Sequence, residues 1–152
     1  MVTDFYPLIA GRQLKYRTSN AGGSGKLHTR CVSIKQQPAE LSAIYERTVY
    51  WGREAPRVSK YSVARNARGV VVEEELELPF HLDLGYHWDS YPREYTIKAL
   101  DADTETPAGR FSDCLLVEYS IGGGDAGYGE RYYAPGVGLV RENCNEVSDP
   151  FE

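Results

Sequence analysis

The chain has 152 residues, 41% of them hydrophobic, a length that suits one domain with its own core and a composition that excludes intrinsic disorder. Its 17 Lys and Arg stand against 22 Asp and Glu, which excludes the broad basic face that nucleic-acid binding needs. Its apolar runs, such as Gly69-Val70-Val71-Val72, are strand-sized, far short of the about 18 residues of a membrane-spanning helix.

Tyr supplies 12 aromatic residues against 4 Phe and 2 Trp, and the single Met is Met1. A Tyr-rich, Met-poor chain punctuated by Gly and Pro suits a β protein better than a helical one. Leu14-Lys15-Tyr16-Arg17 alternates in polarity, Ser19 to Gly25 reads as a loop, and Leu27 to Lys35 can return as a strand, making a first hairpin. Pro38 to Arg47 is the best helix candidate, with Pro in the first turn and Leu41, Ile44 and Tyr45 at helical spacing. Its rival is a strand from Ile44 through Trp51, and Thr48-Val49-Tyr50-Trp51 is β-type either way.

Arg57 to Ala64 is predicted as a strand, Asn66 to Gly69 as a turn, and Val70 to Leu78 as the return strand with Glu74 interrupting its apolar face. Tyr95–Leu100 and Cys114–Ile121 follow, separated by the turn-rich Asp101–Gly109. Gly122–Gly127 is a hairpin loop, and Tyr128–Ala134 and Gly138–Asn143 are strands broken at Pro135-Gly136. The expected fold is mainly β: a single domain over 1–146, an antiparallel meander forming a curved sheet or barrel of about eight to ten strands with at most one short helix. Residues 147–152 are expected to fray. The segment beginning at Phe5 also echoes the one beginning at Phe80, each running Leu, Gly, a large apolar residue, then Tyr. This suggests that the two halves begin with similar turns.

Candidate sites are few. Gly122-Gly123-Gly124-Asp125-Ala126-Gly127 matches G-x-G-x-x-G, but a Tyr-rich strand follows where a phosphate-binding loop needs a helix N-terminus. Gly22 to Leu27 fails as a P-loop, because Asn20 stands where a Gly is required and Leu27 where a Ser or Thr is. Asp101 to Glu105 opens like a calcium loop but carries Thr106 at the Gly position and Ser112 at the bidentate Glu position. Glu73, Glu74, Glu75 and Glu77 read as a solvated strand guarding a sheet edge. His81, Asp83, His87 and Asp89 share one strand parity, yet along a straight strand the two histidines lie about 20 Å apart and cannot share a metal. No metal site, cofactor or catalytic residue is assigned.

Cys31, Cys114 and Cys144 lack C-x-x-C spacing, which argues against zinc. One disulfide plus a free thiol and three reduced thiols both fit. The second is favoured, since Cys31 and Cys114 lie in strand-like runs. The first residues lack a basic n-region and an apolar h-region, so the protein is either cytoplasmic or begins after a removed leader.

Tyr6-Pro7-Leu8 with Gly11 and Tyr16, Leu84-Gly85 with Trp88, Thr106 to Val117 and Tyr132 to Val140 resemble a group of uncharacterised bacterial envelope proteins and lipoproteins (DUF3108-like). That group carries "aGtF-dCl-v" and "YYApGvGlV" strands. Leu14 stands for a usual Trp, Arg110 for a Thr and Arg141 for a Lys. The resemblance covers the N-terminal turn and about residues 80–142. It implies a curved antiparallel sheet like the lipoprotein-carrier folds and a cell-envelope home, and it transfers no catalytic residue. Its motifs read as architecture: Pro107 and Gly109 shape a turn, Cys114, Leu116 and Val140 fill a core, and Gly136 and Gly138 permit a bulge.

The expected function is therefore non-enzymatic binding of an apolar or amphipathic ligand on a curved sheet, the partner being a lipid or other apolar small molecule. The candidate wall residues are Trp88, Tyr132 and Tyr133. The alternatives are a structural or protein-interaction module with a protein partner and no small ligand, and a hydrolase or metal-dependent enzyme using the His/Asp segment.

Overall fold

The structure is a computed structural model that describes residues 2–124, 126–143 and 145–149. A single helical turn, α1 (Val2–Phe5), precedes twelve strands. They are β1 (Gln13–Asn20), β2 (Gly23–Gln37), β3 (Glu40–Trp51), β4 (Arg57–Asn66), β5 (Gly69–Val72), β6 (Glu75–Pro79), β7 (His87–Ser90), β8 (Arg93–Thr106), β9 (Gly109–Ile121), β10 (Gly127–Ala134), β11 (Gly138–Glu142) and β12 (Asn145–Asp149). All belong to one antiparallel sheet in the order β6-β5-β4-β3-β2-β1-β12-β11-β10-β9-β8-β7. The chain is thus an up-and-down meander whose first and last strands pair. The sheet curls until its edge strands β6 and β7 meet through side chains, the Trp88 indole N–H donating to the Leu76 carbonyl at 3.1 Å.

Segment 38–47 is strand, not helix: β3 starts at Glu40, and every residue from Glu40 to Tyr50 pairs with β2. The rival reading was right in type but began four residues late. Ladder hydrogen bonds to both neighbours outweigh a helical spacing of only three apolar residues. The glycine-rich stretch 19–25 is largely strand too, Ser19 pairing with Ser24 and Asn20 with Gly23. Glycine is required there because a Cβ on Gly25 would stand 2.2 Å from the Tyr50 carbonyl oxygen. The predicted strand Val70–Leu78 is two strands, broken where Glu73 and Glu74 take φ of 49° and 76°. Asp101 to Thr106 continues β8 rather than forming a turn. Residues 145–149 are not frayed but pair with β1, Val147 opposite Tyr16. These splits and extensions raise the count above the eight to ten expected.

Of the acidic run expected to form a solvated edge, only Glu75 is an exposed residue of edge strand β6; Glu73 and Glu74 make the turn before it, and Glu77 points into the core, its side chain 19% exposed beside Arg131. The echo between the two halves is geometric. Gly11 (φ 82°) and Gly85 (φ 84°) each stand two residues before a strand, β1 and β7 respectively. Gly11 N–H donates to Cys31 O, Cys31 N–H to Arg12 O and Arg12 N–H to Ile9 O. Gly85 N–H to Ile97 O, Ile97 N–H to Tyr86 O and Tyr86 N–H to Asp83 O repeat that pattern. β1 and β7 stand six places apart in the twelve-strand order.

The principal core lies inside the curl: Val63, Val70, Leu78, Trp88, Tyr95, Ile97, Leu115, Val117 and Tyr133, with Phe5, Tyr6 and Leu8 packed against it. A second cluster joins Tyr16, Cys114, Ala134 and Val140 to Ala102 and Phe111 of the long β8–β9 hairpin. Arg141 Nη1 donates to the buried Thr104 Oγ1 at 3.2 Å and ties that hairpin to β11. Consecutive strand residues face opposite ways, so the burial of both Cys114 and Leu115 means that the sheet is covered on both faces here. Leu116, expected in the core beside Cys114, is only half-buried.

Cys31 and Cys114 are free and buried, and Cys144 lies outside the described residues. Burial raises the Cys31 thiol pKa and pushes that of Cys114 up to about 11. Thiolate chemistry is correspondingly suppressed. Titration of the native protein with a disulfide thiol reagent should therefore modify at most one cysteine, with the full complement reacting only after denaturation. Rapid native labelling of two or more would contradict the burial.

Candidate functional site

Inside the curl, the inward faces of both halves leave a cavity of about 260 Å³. One part of its wall is aromatic and aliphatic: Tyr6, Tyr16, Tyr45, Tyr61, Val72 and Leu139. The charged lining residues are Glu73, Glu77, Arg131 and Glu142, and Arg47 on the Tyr45 and Tyr61 side. A neighbouring space of about 210 Å³ shares Glu73, Glu77 and Arg131 and adds Glu75, Arg93 and Tyr95.

Strand register explains why these residues converge. Arg131 on β10 pairs directly with Glu142 on β11 and with Val117 on β9. Gly129, two residues earlier on the same face, leaves room for the Tyr119 ring, which a Cβ there would approach to 2.1 Å. Arg131 Nε donates to Glu142 Oε2 at 2.9 Å, and Tyr119 OH donates to the same oxygen at 2.8 Å. Arg131 Nη1 lies 3.9 Å from Glu77 Oε1, while Tyr133 OH donates to Glu77 Oε2 at 3.2 Å. The Arg131 guanidinium also sits 4.9 Å from the Tyr119 ring centroid and 5.8 Å from that of Tyr95. The side chains of Arg131, Glu77 and Glu142 are 12%, 19% and 17% exposed, so this is a largely desolvated network of one cation between two carboxylates.

Burial is the dominant influence on the titration of these groups. It raises the Glu77 carboxyl above its ordinary value, and Arg131 at 3.9 Å opposes that shift only in part. For Arg131, burial works against the charge but is outweighed by Tyr133, Glu77 and Glu142, so its pKa is raised. Burial also lifts Tyr6, Tyr16 and Tyr133 well above the usual tyrosine value, and lifts Tyr119 to about 12 with Glu142 adding to the shift. The phenols are therefore neutral hydrogen-bonding groups. Across the cavity Tyr45 and Tyr61 stack with centroids 5.4 Å apart, and the Arg47 guanidinium lies 5.0 Å from the Tyr61 centroid. Arg93 Nε is buried without a hydrogen-bond partner among the described residues.

The three residues expected to form a ligand wall lie elsewhere. Trp88 is buried between Tyr86 and Tyr95, at ring distances of 6.0 and 5.1 Å, and bridges the sheet edges. Tyr133 is fully buried behind the wall, where it bonds Glu77 and packs on the Tyr6 ring at 6.5 Å. Tyr132, its neighbour on the strand, belongs to the second cluster, with Arg141 6.0 Å from its ring centroid. None of the three lines the cavity. The residues that do come from segments distant in sequence; of these, Tyr6, Pro7, Leu14, Tyr16 and 137–139 were noted in advance as architectural motifs and Glu73 and Glu77 as a solvated edge, none as a ligand wall. His81 and Asp83 lie in the irregular connection before β7 and are exposed, as are His87 and Asp89 on the strand itself. The glycine run 122–124 is a hairpin tip followed by β10.

No family model and no curated protein matches the chain. Two solved structures share its fold. One is a candidate exported protein with a YmcC-like fold from Bacteroides fragilis, with TM-score 0.62, 13% identity, and coverage of 97% of this chain and 98% of that one. The other is a candidate lipoprotein from Parabacteroides distasonis, with TM-score 0.63, 12% identity and the same coverage. The chain thus has the curled antiparallel architecture of this YmcC-like class along nearly its whole length. Both neighbours are described by export or lipidation, in keeping with an envelope-type resemblance. Among the described residues no helix is long and apolar enough to cross a membrane.

Proposed function

We propose that the protein is a non-enzymatic binding protein of the cell envelope, related to the envelope lipoproteins it resembles, and that it holds a small amphipathic ligand in the cavity between β1–β6 and β10–β11. The observation that carries this reading is the mixed wall, which sets the aromatic and aliphatic Tyr6, Tyr16, Tyr45, Tyr61 and Leu139 beside the charged network of Glu77, Arg131 and Glu142, with Arg47 over the Tyr61 ring. A ligand with an apolar body and a polar end matches both groups. A volume of about 260 Å³ suits a compact molecule or one end of a longer one. Two carboxylates, Glu77 and Glu142, are occupied by Arg131, Tyr119 and Tyr133, and both described thiols are buried. This favours binding over hydrolysis.

Native mass spectrometry of protein purified without detergent, beside the same sample after organic extraction, tests it. The expected result is a retained small molecule that extraction removes. Thr29→Trp, which fills the cavity from β2, should abolish retention while leaving the circular dichroism spectrum unchanged. A clean unliganded mass, together with no saturable binding of the amphipathic dye 8-anilinonaphthalene-1-sulfonate, would overturn the reading. A second reading, a protein-interaction module, is favoured by Tyr91 and Tyr128. These are 92% and 70% exposed and lie on hairpins joined by the Gly122 N–H to Pro92 carbonyl bond. A specific oligomer alongside the clean mass would support it.

A further inference from the structure

Along the chain, His81 and His87 looked too far apart to share a metal, and the fold supplies a different partner. β7 and β8 form a hairpin in which Asp89 pairs directly with Glu94 and His87 with Thr96. His87, Asp89 and Glu94 are all exposed, and one ligand atom from each lies within 4.8 Å of the others. Among the described residues they are the one such group of three.

Two features set this group apart from an ordinary surface ion pair. Two carboxylates directly opposite each other on paired strands repel, and no Lys or Arg among the described residues pairs with either. Asp89 has only His87, and Glu94 has only Ser120 Oγ at 3.5 Å. The imidazole is also held in place. Its Nδ1 lies 3.1 Å from Thr96 Oγ1, and its Nε2 lies 3.1 Å from Asp89 Oδ1. Without a metal, Nε2–H donates to the Asp89 carboxylate; a cation would take the place of that proton, with Thr96 Oγ1 accepting from Nδ1–H, the outer hydrogen bond that orients a metal-binding imidazole. Ligand bonds of about 2.0–2.1 Å from Nε2 and Oδ1, atoms 3.1 Å apart, subtend an angle of about 100° at a shared ion, near the tetrahedral value. Glu94 then moves inward by rotation of an exposed side chain, and water completes the shell.

We infer that His87, Asp89 and Glu94 form a surface site for a divalent transition cation of the zinc class, on the outer face of the β7–β8 hairpin. Imidazole and carboxylate donors select zinc, copper or nickel over calcium or magnesium. A bound dication replaces the repulsion between Asp89 and Glu94 with attraction to both. The site is separate from the cavity, so its failure would leave the ligand-binding reading standing.

The test is isothermal titration of the full, untagged chain with zinc chloride, with cobalt(II) absorption as a report on coordination. One zinc per chain is expected, with binding lost in His87→Ala and weakened at least about tenfold in Asp89→Asn and Glu94→Gln. His81→Ala and Thr29→Trp should bind as the parent does. The His87 imidazole proton resonances should be the ones that shift on adding zinc. All of these substitutions are at exposed or half-buried positions, and thermal melts of each variant check the fold. No binding at millimolar zinc, full binding in His87→Ala, or equal loss in His81→Ala would overturn the assignment.

Discussion

Replacing Arg131 by Met should destabilise the fold by about 3 kcal/mol at neutral pH, because it leaves two largely buried carboxylates without their shared cation. Glu142 loses a 2.9 Å partner and Glu77 loses the positive charge that offsets its burial. Met keeps most of the aliphatic bulk, so packing loss contributes little. The effect should depend on pH in a defined direction. Glu77 already has a folded-state pKa above its unfolded value, and removing Arg131 raises it further. A group of this kind favours the folded state below the unfolded carboxylate pKa, and that advantage is lost as pH rises through the folded value. The deficit of Arg131→Met should therefore be smallest near pH 4 and grow toward pH 7. Urea unfolding of both proteins at the two pH values measures it. An equal deficit at both would assign the role of Arg131 to its contacts with the Tyr95 and Tyr119 rings rather than to its charge.

Gly69→Ala is expected to have a comparable effect for a backbone reason. Gly69 holds φ of 129° at the start of β5, and a Cβ there would stand 2.1 Å from the Leu78 carbonyl oxygen and 2.7 Å from the Pro79 carbonyl carbon. These are backbone atoms of β6, which rotamer changes cannot move. Strained φ and displacement of a paired strand together should cost about 3 kcal/mol. Gly109 supplies the control, since it also has φ of 129° but nothing within 4 Å of a built Cβ. Gly109→Ala should carry the conformational strain alone and lose about 1 kcal/mol. Hydrogen exchange should show protection lost first in β5 and β6 of the Gly69 variant, the strands that bring Val72 and Glu77 to the cavity. Equal losses at the two positions would mean that β6 yields freely to the added methyl.

Much of the architecture is written in local sequence. Alternation in Leu14–Arg17, the turn residues at Asn66–Gly69 and the breaks at Gly122–Gly127 and Pro135-Gly136 specify a meander of hairpins, because strand parity and turn chemistry are properties of a few neighbouring residues. The echo of Gly11 in Gly85 is legible for the same reason: each glycine takes a positive φ before a strand. What failed locally failed where neighbours decide. Glu40 to Arg47 carries a helical spacing, yet it lies between two long strands whose free N–H and C=O groups it satisfies.

The site was less legible than the fold, because every pair that builds it spans the sheet. Glu77 and Tyr133 are 56 residues apart in sequence, and Tyr119 and Glu142 are 23 apart. The aromatic residues singled out for a ligand wall, Trp88, Tyr132 and Tyr133, were chosen by residue type, which carries no information about the face that each presents. One of them holds the sheet edges together, one packs in the second cluster, and one supports Glu77 from within the core. By itself the sequence determined the antiparallel meander and most of its turns, since these depend on residues within a few positions of one another. Only the tertiary structure decided that the first strand pairs with the last. It alone brought Arg131 between Glu77 and Glu142, and set Glu94 across from Asp89. Those arrangements depend on the register and curl of a twelve-stranded sheet, which long-range pairing fixes and no local spacing encodes.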